Sequence, residues 1–242
     1  MKERPIIFNA DMVRAVLDGR KTQTRRIMRV QPDSAGFESR FIIDSTKRSE
    51  IGKWCWAEPG VFVNPRRSAL FSCPFGENGD RLWVRESFYE HGHWQGGGYD
   101  PEDSYFVSDK QVLYPADGIQ RPAERKREDF WRSRPSIHMP RWASRITLEI
   151  TGVRVERLNS INEHDAIAEG LAEISKDGRT YKYGIPDRDG YPGTDDFGWP
   201  WHEWERYPIS AYSKLWKSIY GADSWQANPW VWVIEFKRVE VE

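Results

Sequence analysis

A row of reactive and cationic side chains occupies the segment Gly19-Arg-Lys-Thr-Gln-Thr-Arg-Arg26. Lys21 brings an amine, Thr24 a hydroxyl, and Arg25 and Arg26 two guanidinium groups. Groups of this kind at the junction of two regular elements often bind ligands or take part in chemistry, because a rigid scaffold holds them in place. The same residues would equally form a basic loop that only contacts solvent. The segment therefore marks a candidate site without assigning its chemistry.

The elements that must position this row are a helix and a strand. Four apolar residues precede it at helical spacing: Met12, Val13, Val16 and Leu17. Asn9 is a residue type that caps helix starts, and Gly19 is one that ends helices in the left-handed conformation. Residues 22–27 read as an extended segment. Lys21 and Thr24 are therefore predicted to lie where the helix gives way to the strand.

A second predicted strand covers residues 81–85 and alternates in polarity. Leu82 and Val84 are expected to face the core, so Trp83 faces the other way and is a candidate for lining a cleft. Glu86 follows the strand.

Cations alternate with aromatic residues again at Arg141, Trp142 and Arg145. Such alternation suits base stacking and phosphate contact, although Trp142 would serve equally well as a core anchor. His138 precedes them and would titrate near neutral pH if it lay beside a cleft.

The composition limits the class of protein. Lys plus Arg number 36 and Asp plus Glu number 37, so the chain lacks the overall positive charge of a histone-like protein and has at most a local basic site. Thirteen Trp residues are more than a core of this size needs, which leaves candidates for stacking on bases.

The chain shows no apolar run of about 18 residues and no signal-peptide pattern at its start, so we expect a cytoplasmic protein that does not span a membrane. Cys55, Cys73, His91 and His93 lack the spacing of a zinc site, and we predict no metal and no other cofactor.

The remaining pattern favours an α+β fold with a small curled sheet. We predict the following elements: a hairpin of residues 54–56 with 61–63, short strands at 41–43 and 112–114, a long strand over 146–158 bent at Gly152, helices over 163–174 and 207–219, and a closing strand over 228–236.

Four motifs together resemble ASCH domains, in particular the long form found in phages and prophages. They are Gly19-Arg-Lys-Thr-Gln-Thr-Arg-Arg26, Gly79-Asp-Arg-Leu-Trp-Val-Arg-Glu86, Glu163-His-Asp-Ala-Ile-Ala-Glu-Gly-Leu171 and the closing Val-Ile-Glu-Phe strand, and Met139-Pro-Arg-Trp-Ala-Ser-Arg145 also belongs to the long form. A phosphate-binding loop is rejected, because the glycine-rich loop is missing and the helix precedes the strand.

The resemblance implies a PUA-like fold, a small open β-barrel with flanking helices and a cleft for RNA or modified nucleosides. The first and third motifs are also similar to a short ASCH enzyme that removes the acetyl group from N4-acetylcytidine. By this resemblance its working residues correspond to Lys21, Thr24 and Glu169.

Amide hydrolysis in such a cleft needs a nucleophile, a proton acceptor and a donor for the departing amine. Thr24 would attack, Lys21 would take its proton if burial or nearby cations lowered its pKa, and Glu169 would shuttle protons. Attack by water with Glu169 as base is equally compatible. The structural alternatives are a phosphate clamp for Lys21, a backbone-bonding Thr24, and a salt bridge from Glu169 to Arg25 or Arg26.

We predict a single domain over residues 1–242. Its core covers about 1–30, 76–90, 136–174 and 205–242, and three insertions cover about 31–75, 91–135 and 175–204.

The expected function is binding of a nucleoside or nucleic-acid base, RNA in preference to DNA, in a Lys/Thr/Glu cleft, with hydrolysis of N4-acylated cytidine as the enzymatic option. The wider binding set comprises Arg25, Arg26, Trp83, Glu86, His138, Arg141, Trp142 and Arg145. The alternatives are a non-catalytic RNA- or DNA-binding module and a ribonuclease; the oligomeric state is left open.

Overall fold

The computed structural model describes residues 1–33, 36–61, 66–97, 100–123, 129–193 and 197–239. In this part of the chain the strands are β1 (Glu3–Ile7), β2 (Gln23–Ile27), β3 (Glu38–Phe41), β4 (Trp54–Ala57), β5 (Arg81–Arg85), β6 (Phe88–Gly97), β7 (Asp100–Leu113), β8 (Asp129–Arg134), β9 (Thr147–Arg157), β10 (Ala172–Ser175), β11 (Tyr181–Gly184) and β12 (Trp230–Val239). The α-helices are α1 (Ala10–Leu17), α2 (Glu163–Ala168) and α3 (Pro208–Tyr220). The predicted α+β class is confirmed. No helix among these is long and apolar enough to cross a membrane.

Five strands form the main sheet in the order β1-β5-β9-β12-β2. The β1–β5 pair is parallel and the other pairs are antiparallel. Within the described residues the edge strands β1 and β2 do not pair, yet Arg26 Nη2 on β2 donates a hydrogen bond of 2.5 Å to the Ile7 carbonyl on β1. The sheet therefore curls until its edges approach, without closing into a barrel.

The central strand β12 is buried on both faces. Trp232, Ile234 and Phe236 pack into a core with α1, β1 and β5. Val231 and Val233 pack on the other side, against α2 and α3. This alternation places the two helical layers on opposite faces of the sheet.

Local sequence signals explain the elements next to the candidate site. The Asn9 side chain accepts a hydrogen bond of 2.9 Å from the Met12 amide, and Gly19 has a φ of +76°, so both predicted helix boundaries are confirmed. Leu82 and Val84 are buried, and Trp83 between them is half-buried, as the alternation predicted. The bend at Gly152 is confirmed as well, since the β9–β12 register shifts between Glu235 and Phe236.

The helix predicted over residues 163–174 was wrong at its end. It stops at Ala168, Gly170 adopts a φ of +110°, and Ala172–Ser175 forms β10 instead. Leu171 is a buried apolar residue, so its position fits the spacing of a continuing helix. The left-handed Gly170 nevertheless ends the helix before it.

The predicted insertions contain more regular structure than the sequence suggested. β4 pairs with β3, which overlaps the strand expected at 41–43 only at Phe41. Residues 62 and 63 of the predicted partner segment 61–63 lie outside the described residues. β6, β7 and β8 form a three-stranded antiparallel sheet where one strand at 112–114 was expected. β6 buries alternate residues at Phe88, Glu90 and Gly92, but one of them is charged and one is glycine, so the alternation does not show in the polarity of the sequence.

Replacing Gly170 with Ala is expected to destabilise the protein by about 3 kcal/mol, because the new Cβ would lie 2.9 Å from Ala15 Cβ and 3.2 Å from Lys21 Cβ in a left-handed backbone. Gly178→Ala is the matched control: its φ is +69° with no atom within 4 Å of the new Cβ, so only the backbone cost of about 1–2 kcal/mol applies. Urea unfolding measures both. Equal losses of unfolding free energy in the two variants would show that the contacts around Gly170 are not tight.

Candidate functional site

The backbone brings Lys21 beside Glu169. The two residues form an isolated antiparallel bridge, and the Thr22 amide donates to the Ala168 carbonyl at 3.0 Å. The end of α2 is thereby fixed to the loop between α1 and β2. Residues 148 positions apart in sequence share one site because both helices end there.

Lys21 and Glu169 form a buried ion pair. Lys21 Nζ donates to Glu169 Oε2 and to the Glu169 carbonyl, both at 2.8 Å. The two residues are 3% and 4% exposed. Burial lowers the pKa of Lys21 below its ordinary value of 10.5, although the Glu169 carboxylate opposes this shift. The amine is thus closer to losing its proton than an exposed lysine.

Arg25 is the second cation on Glu169. Its Nη1 lies 3.2 Å from Glu169 Oε1, and its Nη2 lies 2.7 Å from Asp165 Oδ2 and 3.2 Å from Glu156 Oε2. Asp165 also binds Arg154. The salt bridge from Glu169 to Arg25 that the sequence offered as an alternative is therefore present, together with the Lys21 contact.

Thr24 lies on β2, is 1% exposed, and lines a small cavity with Glu169. The cavity lies between α1, β2 and α3, and its other lining residues are Met12, Arg25, Tyr212, Leu215, Trp216, Ile219 and Tyr220. Its volume of about 10 Å³ matches one water-sized group. The hydroxyl and carboxylate converge, but the space does not admit a nucleobase while α3 is in this position.

Tyr212 brings a further polar group to this cavity. Burial raises the pKa of its phenol well above the ordinary value of 10, and the nearby Glu169 carboxylate adds to the shift. The phenol therefore stays protonated at neutral pH and remains able to donate a hydrogen bond.

Arg26 and Trp83 lie outside this ion-pair cluster. The Arg26 guanidinium is 5.5 Å from the centre of the Phe8 ring, and Lys21 Nζ lies 5.7 Å from the same centre. Arg26 is therefore a near neighbour of the Lys21 site. Trp83 is half-buried, with the Arg85 guanidinium 5.6 Å from its ring centre.

Glu86 and Arg145 contact each other in a separate cluster. Arg145 Nε and Nη2 donate to the two Glu86 carboxylate oxygens at 2.9 and 3.1 Å, and Nη1 donates to Asp117 at 2.7 Å. The guanidinium stacks 3.9 Å from the Tyr114 ring centre. Burial raises the pKa of Glu86, against the hydrogen bond from Arg145. Among the described residues, neither makes a hydrogen bond or ion pair with Lys21, Thr24 or Glu169.

Arg141, Trp142 and His138 lie at the surface. Arg141 pairs with Glu3 at 3.1 Å, and Trp142 is 45% exposed. His138 is exposed as well. They remain available to an external ligand, at a location that the sequence did not define.

The two cysteines are unpaired. Cys55 is buried, and burial raises the pKa of Cys73 to about 11, so neither has the character of an activated nucleophile. Among the described residues no group of three or more His, Cys, Asp or Glu side chains is arranged to hold a metal ion.

Sequence reasoning missed Asp165, Tyr212 and Trp216 as members of the site. Asp165 precedes Glu169 by four residues, a spacing that puts both carboxylates on one side of α2 and offered a usable signal. Tyr212 and Trp216 lie on the buried face of α3, within the helix predicted over 207–219, but nothing local indicates that this face meets Thr24.

Arg145→Met is expected to lower the free energy of unfolding by about 3–5 kcal/mol, because it leaves the Glu86 carboxylate, 3% exposed, without its partner. Arg141→Met is the control, since its pair with Glu3 is exposed and should contribute at most about 1 kcal/mol. Urea denaturation measures both. A loss at Arg145 no larger than at Arg141 would contradict a structural role for the Glu86 cluster.

No family model, curated protein or solved structure matches the chain. The ASCH resemblance accordingly stays a prediction based on the four motifs. The site is defined by its own geometry: a buried amine–carboxylate pair next to a threonine hydroxyl.

Proposed function

We propose that this chain is an ASCH-type protein with a PUA-like fold, and that it binds N4-acylated cytidine, as a nucleoside or within RNA, and hydrolyses the acyl amide. The observation that carries the proposal is the buried Glu169 carboxylate, which contacts the Lys21 amine at 2.8 Å and lines the same cavity as Thr24. A nucleophile and a proton relay therefore occur side by side, as acyl transfer requires.

In the first half of the reaction, Thr24 Oγ forms a bond to the acyl carbon and its proton passes to the Lys21–Glu169 pair. A neutral Lys21 amine is available to accept this proton because burial disfavours the charged form. The bond from the acyl carbon to N4 then breaks, and N4 takes the proton to leave as the amine of cytidine. The acyl group remains on Thr24 as an ester.

In the second half, water attacks the ester and gives one proton to the same pair. The ester bond breaks, Thr24 Oγ recovers a proton, and the acid is released as a carboxylate with loss of its proton to solvent. The sum is one amide plus one water to one amine, one carboxylate and one proton. A direct attack by water, with Glu169 as base, gives the same products without an ester.

Substrate entry requires α3 to move away from α1. The cavity volume of about 10 Å³ is far below that of a nucleobase site, for which a few hundred Å³ is usual. Ile219 at the end of α3 is 39% exposed and lines the cavity, so this end is the side open to solvent. Closure after binding would exclude water from the reacting groups.

A non-catalytic nucleic-acid-binding module is the second candidate, and the exposed Trp142 beside Arg141 favours it. The affinity of a phosphate clamp falls steeply as the salt concentration rises, whereas the affinity of a pocket for a neutral nucleoside does not. Titrating labelled RNA at low and moderate salt separates the two. Cleavage of that RNA would instead indicate a nuclease.

Thr24→Val is expected to lower kcat for N4-acetylcytidine by about 1,000-fold or more while leaving the melting temperature nearly unchanged, because it is isosteric and removes only the hydroxyl. Thr24→Ser keeps a nucleophile and should retain measurable turnover. Trapping an acyl-enzyme by mass spectrometry distinguishes threonine attack from direct attack by water. Absence of turnover by the wild type on a panel of acylated cytidines would contradict the enzymatic proposal.

The rate is expected to rise with pH, with an inflection below the 10.5 of an ordinary lysine, because the relay accepts a proton only where Lys21 is neutral and burial lowers its pKa. Lys21→Arg should remove this inflection, since a guanidinium stays protonated at every accessible pH. The measurement is kcat/KM against pH for both proteins. An inflection that survives in Lys21→Arg would assign it to another group.

A further inference from the structure

Two buried hydrogen-bond donors beside Thr24 lack acceptors. Trp216 Nε1 and Arg25 Nε are inaccessible to solvent and have no hydrogen-bond partner among the described residues. Both side chains line the small cavity that also contains Thr24 and Glu169. Each residue is only 2% exposed.

Such donors are costly to bury, at about 1–3 kcal/mol for each one left unsatisfied. An indole N–H and a guanidinium N–H can only donate, so the missing partner must be an acceptor atom. The cavity volume of about 10 Å³ limits that partner to one oxygen-sized group. Unpartnered Trp56 Nε1, by contrast, belongs to a residue in the core on the opposite face of the sheet.

The phenol of Tyr212 is a third donor at this place. It lines the cavity and is 3% exposed, and its raised pKa keeps the hydroxyl protonated and able to donate. Three donor-bearing side chains therefore line the same small space as Thr24, and donors placed around a reacting carbonyl stabilise a developing oxyanion in acyl transfer.

We propose that Trp216, Arg25 and Tyr212 form an oxyanion cradle that holds the acyl oxygen of the substrate, an inference that rests on the proposed amide hydrolysis. Attack at the acyl carbon moves the carbonyl π electrons onto that oxygen, where the cradle stabilises them. The pair returns to re-form the carbonyl when the bond to N4 breaks. The acyl oxygen takes the oxygen-sized space, and the rest of the substrate lies at the mouth of the cavity beside Ile219 and Tyr220 once α3 has moved away from α1.

Trp216→Phe is expected to lower kcat about 100- to 1,000-fold with KM changed less than about threefold, because the donor acts on charge that develops in the transition state. Trp56→Phe is the matched control, since it also removes a buried indole without a partner, and its kcat should stay within about threefold of wild type. Tyr212→Phe, which removes only a hydroxyl, should lower kcat in the same way. A Trp216→Phe enzyme as active as Trp56→Phe would overturn the cradle.

A second experiment tests ligand binding at the cradle without measuring turnover. The indole N–H resonance of Trp216, assigned by its loss in Trp216→Phe, should shift when acetate or N4-acetylcytidine is added, while that of Trp56 should not. If the wild type hydrolyses no acylated cytidine but the resonance shifts with acetate, the proposed function fails and the cradle stands as an oxygen-binding site. If neither probe shifts the resonance, the cradle is wrong whatever the activity.

Discussion

The buried carboxylate of Glu169 is the constraint on which the site depends. An isolated carboxylate at 4% exposure would be too costly to keep ionised, and Lys21 and Arg25 make it tolerable by contacting one oxygen each. Arg25 in turn requires Asp165, and Asp165 binds Arg154. This series of ion pairs connects α2, β2 and β9, so the candidate site and the packing of this region depend on the same contacts.

These contacts also determine which side-chain atoms are available to a ligand. The guanidinium of Arg25 is used at its two terminal nitrogens, which leaves only Nε to face a ligand. The amine of Lys21 is bonded twice to Glu169, so any proton that it accepts or gives passes through a pair held at 2.8 Å. Thr24 is not part of these ion pairs and lines the cavity beside Glu169 and Arg25. The ionic contacts therefore fix the position of Glu169 and leave the Thr24 side chain outside them.

Much of this arrangement was predictable from local signals, and the rest was not. Asn9 and Gly19 fix α1, and alternation fixes β5, because caps and side-chain periodicity act over a few residues. The helix expected through residue 174 fails at Gly170, where apolar spacing competes with a left-handed glycine. The closed cavity was not predictable, since its size depends on how α3 packs on β2 and α1. That contact is tertiary, and its aromatic residues read in sequence as ordinary core.

Two ionic clusters among the described residues contain the predicted site carboxylates Glu86 and Glu169, and their chemistry differs. In the Glu86 cluster, Arg145 satisfies both oxygens of the carboxylate, stacks on Tyr114 and also binds Asp117. A guanidinium cannot lose its proton under ordinary conditions, so Arg145 cannot act as a base, and the carboxyl of Glu86, whose pKa burial raises, has no neutral amine beside it. In the Glu169 cluster a lysine occupies the equivalent place, burial lowers its pKa, and Thr24 lines the adjoining cavity. The proposed proton transfer therefore fits the Lys21–Glu169 pair better than the Glu86–Arg145 pair.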